Sequence, residues 1–581
     1  MMADFDMVIR GGTVVDGSGG AAFAADVAVR EGVIVAVGEV EGAGEEEIDA
    51  RGLIVTPGFI DVHTHMDGQV TWGHETRPVS DHGVTTLLMG NCGVGFAPCR
   101  PEERHLLLDL MEGVEDIPEP VMAVGIPWAW ETYPEYLDFI ASRTYDVDIC
   151  SMVPHAAVRI YAMGSRGASR EPARLSDAMA MAAIVKEGME AGAFGISTTR
   201  SLNNRSKDGT LAPTITARED ELMAMACAMG EVGRGIIEVN DQWLDMDEHG
   251  RSAEFEMIKR IGKASGRPFT FAVLQQEEGH GGGWEQIFRL TDAANAEGVA
   301  MRPQICTRPI GIMAGLDVSL NPFMFCPTWQ RELEHLPLEQ KVARMGDPEV
   351  RAKLLSEEPE TTNPLNLWLA RTVERMSEMG DPPNYAPEPE DFLPARAARE
   401  GRSVLELAYD LMLKNDGRNL LYHPVVNYAK DNLDHIPVMI RNGHSVIGLG
   451  DGGAHVGVIC DASLPTHLLT YWARDRSGEK LELPEAVRIL TKDNADFVGL
   501  TDRGLVRAGF RADINIIDFE RLHLHAPRAH YDLPAGSRRL LQKADGYVAT
   551  IKSGVITYRD GEPTGKTPGR LLRSHEFAQA V

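Results

Sequence analysis

Residues 59–67 read FIDVHTHMD, an apolar β-type run that ends in two histidines one residue apart. Residues i and i+2 of a strand project from the same face. His63 and His65 therefore point together, with Thr64 opposite. Two imidazoles on one face make poor core, because each brings two polar nitrogens to satisfy, but they make half of a metal site. A bare H-x-H also suits two hydrogen-bonded loop histidines, so the rest of the chain has to decide.

The chain around it is that of a water-exposed globular protein. Its 581 residues are 43% hydrophobic and 25% charged, ordinary proportions for a packed domain. No apolar run is long enough to span a membrane. The start, MMADFDMVIRGG, lacks the basic-then-apolar layout of a secretory signal. Seven cysteines without a CxxC pair speak against a disulfide framework or a structural zinc finger, and point to a reducing, cytoplasmic setting. A net charge of −29 argues against nucleic acid or an anionic membrane as partner. It leaves room for a small anionic substrate held by local arginines, and a homo-oligomer is compatible with all of this.

Outward from residues 59–67, strand-like runs recur between helical stretches. They are FIDVHTH, TTLLMGNCG, VDICSMVPH, AGAFGIST, GIIEVND, FTFAVLQQ, VAMRPQIC, NLLYHPVV and SVIGLGDGG. Strand–helix alternation at this spacing predicts an α/β chain with a parallel sheet, closing as a TIM-like (β/α)8 barrel over 58–499. Nine runs compete for eight places, so one should lie outside. Residues 1–57 and 500–565 share another texture, short strands and Gly turns, which predicts one small β domain built from both chain ends. An acidic, Pro-rich stretch at about 318–405 interrupts the rhythm as an inserted cap, a subunit contact or a surface excursion. Residues 566–581 form a tail.

Polar groups close several runs: His63 and His65, then Cys92, His155, Asn240 with Asp241, Gln275 with Gln276, His423 and Asp451. Barrel active sites gather at such strand ends. Taken singly, Cys92 also suits a small buried hydrophobe, and Asp451 a turn residue.

Three segments, VTPGFIDVHTHMD, GDGGAH and DRGLVRAGFRADINIIDFE, resemble the amidohydrolase superfamily. GVTTLLMGNCGVGFAP, VPHAAVRIYAMG, GAFGISTTRSL and NYAKDNL bring the chain nearest the D-aminoacylase, or N-acyl-D-amino-acid deacylase, branch. The resemblance spans nearly the whole chain and is weakest over 300–410. It implies a metal-dependent hydrolase with one principal Zn2+ site, or another divalent metal, in a barrel joined to a composite β-sandwich. It carries the H-x-H ligand pair onto His63 and His65, the branch's cysteine ligand onto Cys92, and the last-strand aspartate, which handles the proton of the attacking water, onto Asp451.

The sequence also departs from that pattern. Where the superfamily places histidines at the ends of strands five and six, this chain reads EVNDQW and AVLQQE. Asp241 would supply oxygen ligation at the first. His280, in a Gly-rich stretch, is a weaker substitute. No lysine ends strand four, so a carbamylated bridge between two metals is not expected. The expected reaction is hydrolysis of a non-peptide amide, most simply of an N-acyl (D-)amino acid, with Asp451 as general base. Such a substrate carries a carboxylate, which an arginine fork would hold. Arg159, Arg200, Arg302 and Arg308, with His155, lie at or beyond strand ends, and each arginine equally suits a rim ion pair. A cyclic amidase or lactonase would use the same water activation, and a scaffold protein that has lost its metal would keep the fold alone.

Overall fold

The computed structural model describes residues 3–243, 246–276 and 283–577. His280 lies outside the described residues.

Eight of the nine strand-like runs form parallel ladders. Phe59–Thr64, Val84–Met89 and Asp148–Ser151 make one three-stranded sheet. Val153–Pro154, Gly195–Thr199, Ile236–Asn240, Phe269–Ala272, Met301–Ile305 and Val446–Ile447 make a six-stranded one in that order. The first three strands are buried at every position, which is why they read as near-continuous apolar runs without alternation. Helices Leu175–Ala191, Glu219–Val232 and Glu248–Ser265 are the crossovers between successive strands, as parallel pairing requires.

The two sheets do not form one closed ladder among the described residues. The third run breaks at Met152, so Asp148–Ser151 pairs one way and Val153–Pro154 the other. The last strand is two residues long, because Leu449 and Asp451 turn into positive φ just after it. Backbone hydrogen bonds still cross that gap: Asp451 N–H donates to His63 O at 3.2 Å, and His65 N–H to Gly452 O at 2.8 Å. The eighth run, NLLYHPVV, is the one outside. Leu421–Val426 pairs antiparallel with Ile310–Ala314 and with Ser377–Glu378.

The inserted stretch folds on its own core. Leu316, Phe323, Trp329, Leu354, Tyr409 and Leu421 belong to one buried cluster, with helices such as Leu338–Met345, Leu393–Glu400 and Val404–Met412 around it. The two chain ends meet in one nine-stranded sheet, where Ile514–Ile517 pairs with Ile54–Pro57. Their shared core runs from Met7 to Val55 and from Val506 to Ile556. A buried charge network bolts this sheet to the parallel strands. Lys552 Nζ lies 2.7 Å from Asp148 Oδ2 and 2.8 Å from Asp513 Oδ1, and Arg503 Nη1 lies 2.6 Å from Asp148 Oδ2. The tail is strapped along the same strand, with Ile149 N–H donating to Arg570 O and Leu572 N–H to Ile149 O.

Candidate metal centre

His63 is the penultimate residue of Phe59–Thr64 and His65 follows one residue beyond the strand. Their rings sit 5.5 Å apart edge to face. Cys92 comes in from the turn after the second strand. His63 Nε2 is 3.5 Å from Cys92 Sγ and 3.4 Å from Asp451 Oδ1, and His65 Nε2 is 4.0 Å from the same oxygen. The ligand atoms of His63, His65 and Cys92 all lie within 4.8 Å of one another.

The turns that present these groups are strained toward the site. Cys92 has φ +54° and Asp451 φ +45°, a left-handed region uncommon for side-chain-bearing residues and concentrated at functional sites. Gly453, at φ +98°, lets the chain pass against the first strand: a Cβ there would meet His65 O at 2.6 Å.

Groups around the cluster orient the histidines. His63 Nδ1 and Gln304 Oε1 are 2.8 Å apart. A glutamine oxygen only accepts, so the ring carries its proton on Nδ1 and turns the Nε2 lone pair to Cys92 and Asp451. Glu115 Oε1 stands 3.4 Å from His65 Nδ1, without the alignment of a hydrogen bond, and Glu115 Oε2 is 3.9 Å from His455 Nε2. Glu238 Oε2 accepts the Cys92 backbone N–H at 2.9 Å.

The electrostatics call for a cation. Burial, and behind it Asp451, Asp67 and Glu238, push the Glu115 carboxyl well above its usual range. Burial and Asp451 push Glu238 up to about 8. Burial, reinforced by Glu238, Glu115 and Asp451, drives the Cys92 thiol well up, while burial holds His65 neutral. Among the described residues, the ion-pair contacts of Glu115 and Asp451 are with histidines alone. Asp451 Oδ1 is buried with no hydrogen-bond partner among the described residues. A divalent ion would take these lone pairs, stabilise the thiolate and offset the acids at once. Two imidazoles, a thiolate and a carboxylate suit zinc. Asp451 is 19% exposed at its side chain against 3% for His63 and 2% for His65, so it marks the side that water reaches.

The other expected site residues lie elsewhere. Asp241 is outside the cluster. Along Ile236–Asn240 the alternation turns Glu238 and Asn240 to Cys92, with Asn240 Nδ2 3.6 Å from Sγ. Asp241 instead accepts the Gln242 N–H at 2.6 Å, and burial, with Glu254 behind it, raises its carboxyl to about 8. Gln275 is spent on the chain at Asn427 and Ala429. His423 lies on the antiparallel strand near Trp368. His155 and Arg159 share Glu221 in a fully buried triad, with His155 Nδ1 2.8 Å from Thr198 Oγ1. Arg200 is paired with Glu254, and Arg302 donates to Asn295 Oδ1 and to Met301 O. Arg308 differs. It is fully buried with its guanidinium over the Tyr385 ring, its Nη2 holds Asp461 at 2.7 Å and Cys460 O at 2.6 Å, and its Nε and Nη1 have no hydrogen-bond partner among the described residues. Glu115, Glu238 and Gln304 were missed by sequence reasoning. For the last two a signal existed, a polar residue inside a buried parallel strand.

The model of the amidohydrolase family matches residues 46–558 of this architecture and site. The chain belongs to the amidohydrolase family. As an amidohydrolase it is a hydrolase of carbon–nitrogen bonds other than peptide bonds, related to N-acyl-D-amino-acid deacylases. It is 27% identical over 578 residues to N-acyl-D-aspartate deacylase of Alcaligenes xylosoxydans xylosoxydans, covering 98% of this chain and 95% of that one. D-aminoacylase of the same organism is 34% identical over 197 residues, 33% of this chain and 37% of that one. A solved D-aminoacylase structure concerned with a binuclear metal centre has a TM-score of 0.65 at 22% identity, covering 98% of this chain and 100% of that chain. At that identity the likeness speaks for the fold alone: the amidohydrolase has the α/β fold of D-aminoacylase.

Proposed function

We propose that this amidohydrolase removes the acyl group from an N-acyl-D-amino acid, at a centre where His63, His65, Cys92 and Asp451 hold one zinc ion. The observation that carries this is the convergence of two Nε2 lone pairs, one thiol and the unpartnered Asp451 Oδ1. End-to-end similarity to an N-acyl-D-aspartate deacylase supports the substrate class. A zinc ion bound there supplies water activation and carbonyl polarisation. Asp451 accepts the proton of the attacking water and returns it to the leaving amide nitrogen, which leaves poorly unprotonated. Gln304 keeps the His63 Nε2 lone pair inward throughout.

Arg308 is the residue we assign to the substrate carboxylate. Its Nε and Nη1 lack hydrogen-bond partners among the described residues, and each can donate a charge-assisted hydrogen bond to a carboxylate oxygen. Asp461, which it grips, is near enough to Asp451 to feel its charge: burial, then Asp451, raise Asp461 to about 7 against the pull of Arg308. We also read the two parallel sheets as one (β/α)8 barrel whose closure runs through the Asp451–His63 and His65–Gly452 hydrogen bonds. The nine-stranded sheet we read as a composite β-sandwich.

The test is a screen of N-acetyl-D- and N-acetyl-L-amino acids, cyclic amides and lactones with zinc-, manganese- and cobalt-loaded enzyme. Turnover of the D series is expected, with Arg308→Lys raising KM at least about tenfold while kcat changes less. Turnover of cyclic amides or lactones without any N-acyl amino acid would replace this reading by the cyclic one.

A further inference from the structure

A second histidine–x–histidine lies in RLHLHAP, residues 521–527. Leu522 and Leu524 are buried, so His523 and His525 share the outer face of their strand. His523–Leu524 pairs antiparallel with Ala544–Asp545, and the register sets His523 directly opposite Asp545. Three ligand-bearing side chains thus rise from one face of a two-stranded ribbon. Their ligand atoms lie within 4.8 Å of one another. His525 Nε2 is 3.1 Å and His523 Nε2 3.5 Å from Asp545 Oδ2, and the rings are 4.6 Å apart.

The far side of each ring faces an acceptor oxygen as well. His523 Nδ1 faces Arg521 O at 3.0 Å. A carbonyl only accepts, so that nitrogen carries the proton and Nε2 keeps its lone pair. His525 Nδ1 stands 3.8 Å from Asp381 Oδ1, an oxygen fixed by the Ala526 N–H at 3.0 Å. Asp381 comes from the inserted stretch. Two Nε2 lone pairs and a carboxylate aimed at one another repel unless a proton or a metal cation sits among them.

We propose that His523, His525 and Asp545 form a second metal site, for a divalent transition ion such as zinc, nickel or copper. Two imidazoles select these over magnesium or calcium, which prefer oxygen. Asp381 orients His525 from behind, as carboxylates do for metal-bound histidines, so the ion clasps the ribbon to the insert. His523 and His525 are partly exposed, so the ion exchanges with solvent. His525 also lines a cleft of about 450 Å3 with Arg418, Arg528 and Lys543, which gives an anionic co-ligand access to the open positions.

The experiment compares the full chain with a His523→Ala/His525→Ala variant, each loaded with zinc, dialysed and assayed for metal by atomic emission. The variant should hold about one equivalent less and keep its kcat, since neither residue belongs to the hydrolytic centre. Copper-loaded full chain should give an electron paramagnetic spectrum with coupling to two imidazole nitrogens that the variant lacks. Asp381→Asn should weaken metal binding at this site about tenfold or more. If the double variant does not fold, Asp545→Asn, a single exposed change, carries the same comparison. Equal zinc content and an unchanged copper spectrum would overturn the proposal and leave a proton shared between the histidines and Asp545.

Discussion

Changing Asp451 to Asn removes the proposed base, and the charge of one proposed metal ligand, while keeping the shape of the side chain. Asp451 sits at φ +45°, and Asn is the other side-chain-bearing residue that enters this region readily. Its N–H is pinned to His63 O at 3.2 Å, and Gly452 O to the His65 N–H at 2.8 Å, so the side chain keeps its place. An amide oxygen still faces His63 Nε2, but it cannot take a proton. General-base losses run at roughly 10²–10⁴ in rate, about 3–5 kcal/mol of transition-state stabilisation at about 1.4 kcal/mol per decade. Asp451→Asn should therefore lower kcat by at least about two decades while KM moves little. The assay is steady-state hydrolysis of the best N-acyl substrate, normalised to metal content. Asp451→Ala is the control for the backbone, because alanine at positive φ adds about 1–2 kcal/mol of strain and should lower the melting temperature as well. A metal-replete Asp451→Asn enzyme within about threefold of the wild-type kcat would refute the reasoning and move the proton to another group.

Glu115→Gln should weaken zinc binding about tenfold to a hundredfold, read by competition with a chelating dye; unchanged affinity would make Glu115 a bystander. Burial pushes the Asp148 carboxyl up, but Lys552 and Arg503 outweigh it and hold it at about 2, against an ordinary 3.8. Its stabilisation is therefore complete above about pH 4 and is lost as pH falls through about 2, on the order of 2 kcal/mol. Asp148→Asn should cost about 3–5 kcal/mol at neutral pH, because two cations stay buried, and should flatten the acid limb of the unfolding midpoint. A midpoint and acid limb matching wild type would show that the network adds nothing.

Period-two spacing made His63 and His65 legible, since two polar residues on one strand face have few uses. Cys92 and Asp451 were legible as strand-end residues among glycines. Asp241 misled because the end of a strand hides its phase: the residue that reaches Cys92 is Asn240, one position earlier. Glu238 stands inside an otherwise apolar run, which was signal enough to suspect it. Glu115 gives no such sign. It ends the amphipathic helix Arg104–Glu115, and only tertiary packing brings it to His65. The arginines were undecidable for the same reason, since Glu221 lies 62 residues from Arg159. LLYHPVV imitated a parallel strand because burial, not pairing partner, writes the apolar pattern. Its antiparallel partner, Ile310–Ala314, lies across the whole insert.

The measurement that bears most directly on the metal centre is X-ray absorption at the zinc edge of loaded enzyme carrying His523→Ala and His525→Ala, so that only the hydrolytic site is seen. Coordination by His63, His65, Cys92 and Asp451 predicts one sulfur at about 2.3 Å with nitrogen and oxygen neighbours at about 2.0–2.2 Å, and loss of the sulfur shell in Cys92→Ser. A fully occupied site with nitrogen and oxygen alone, unchanged in Cys92→Ser, would contradict the account.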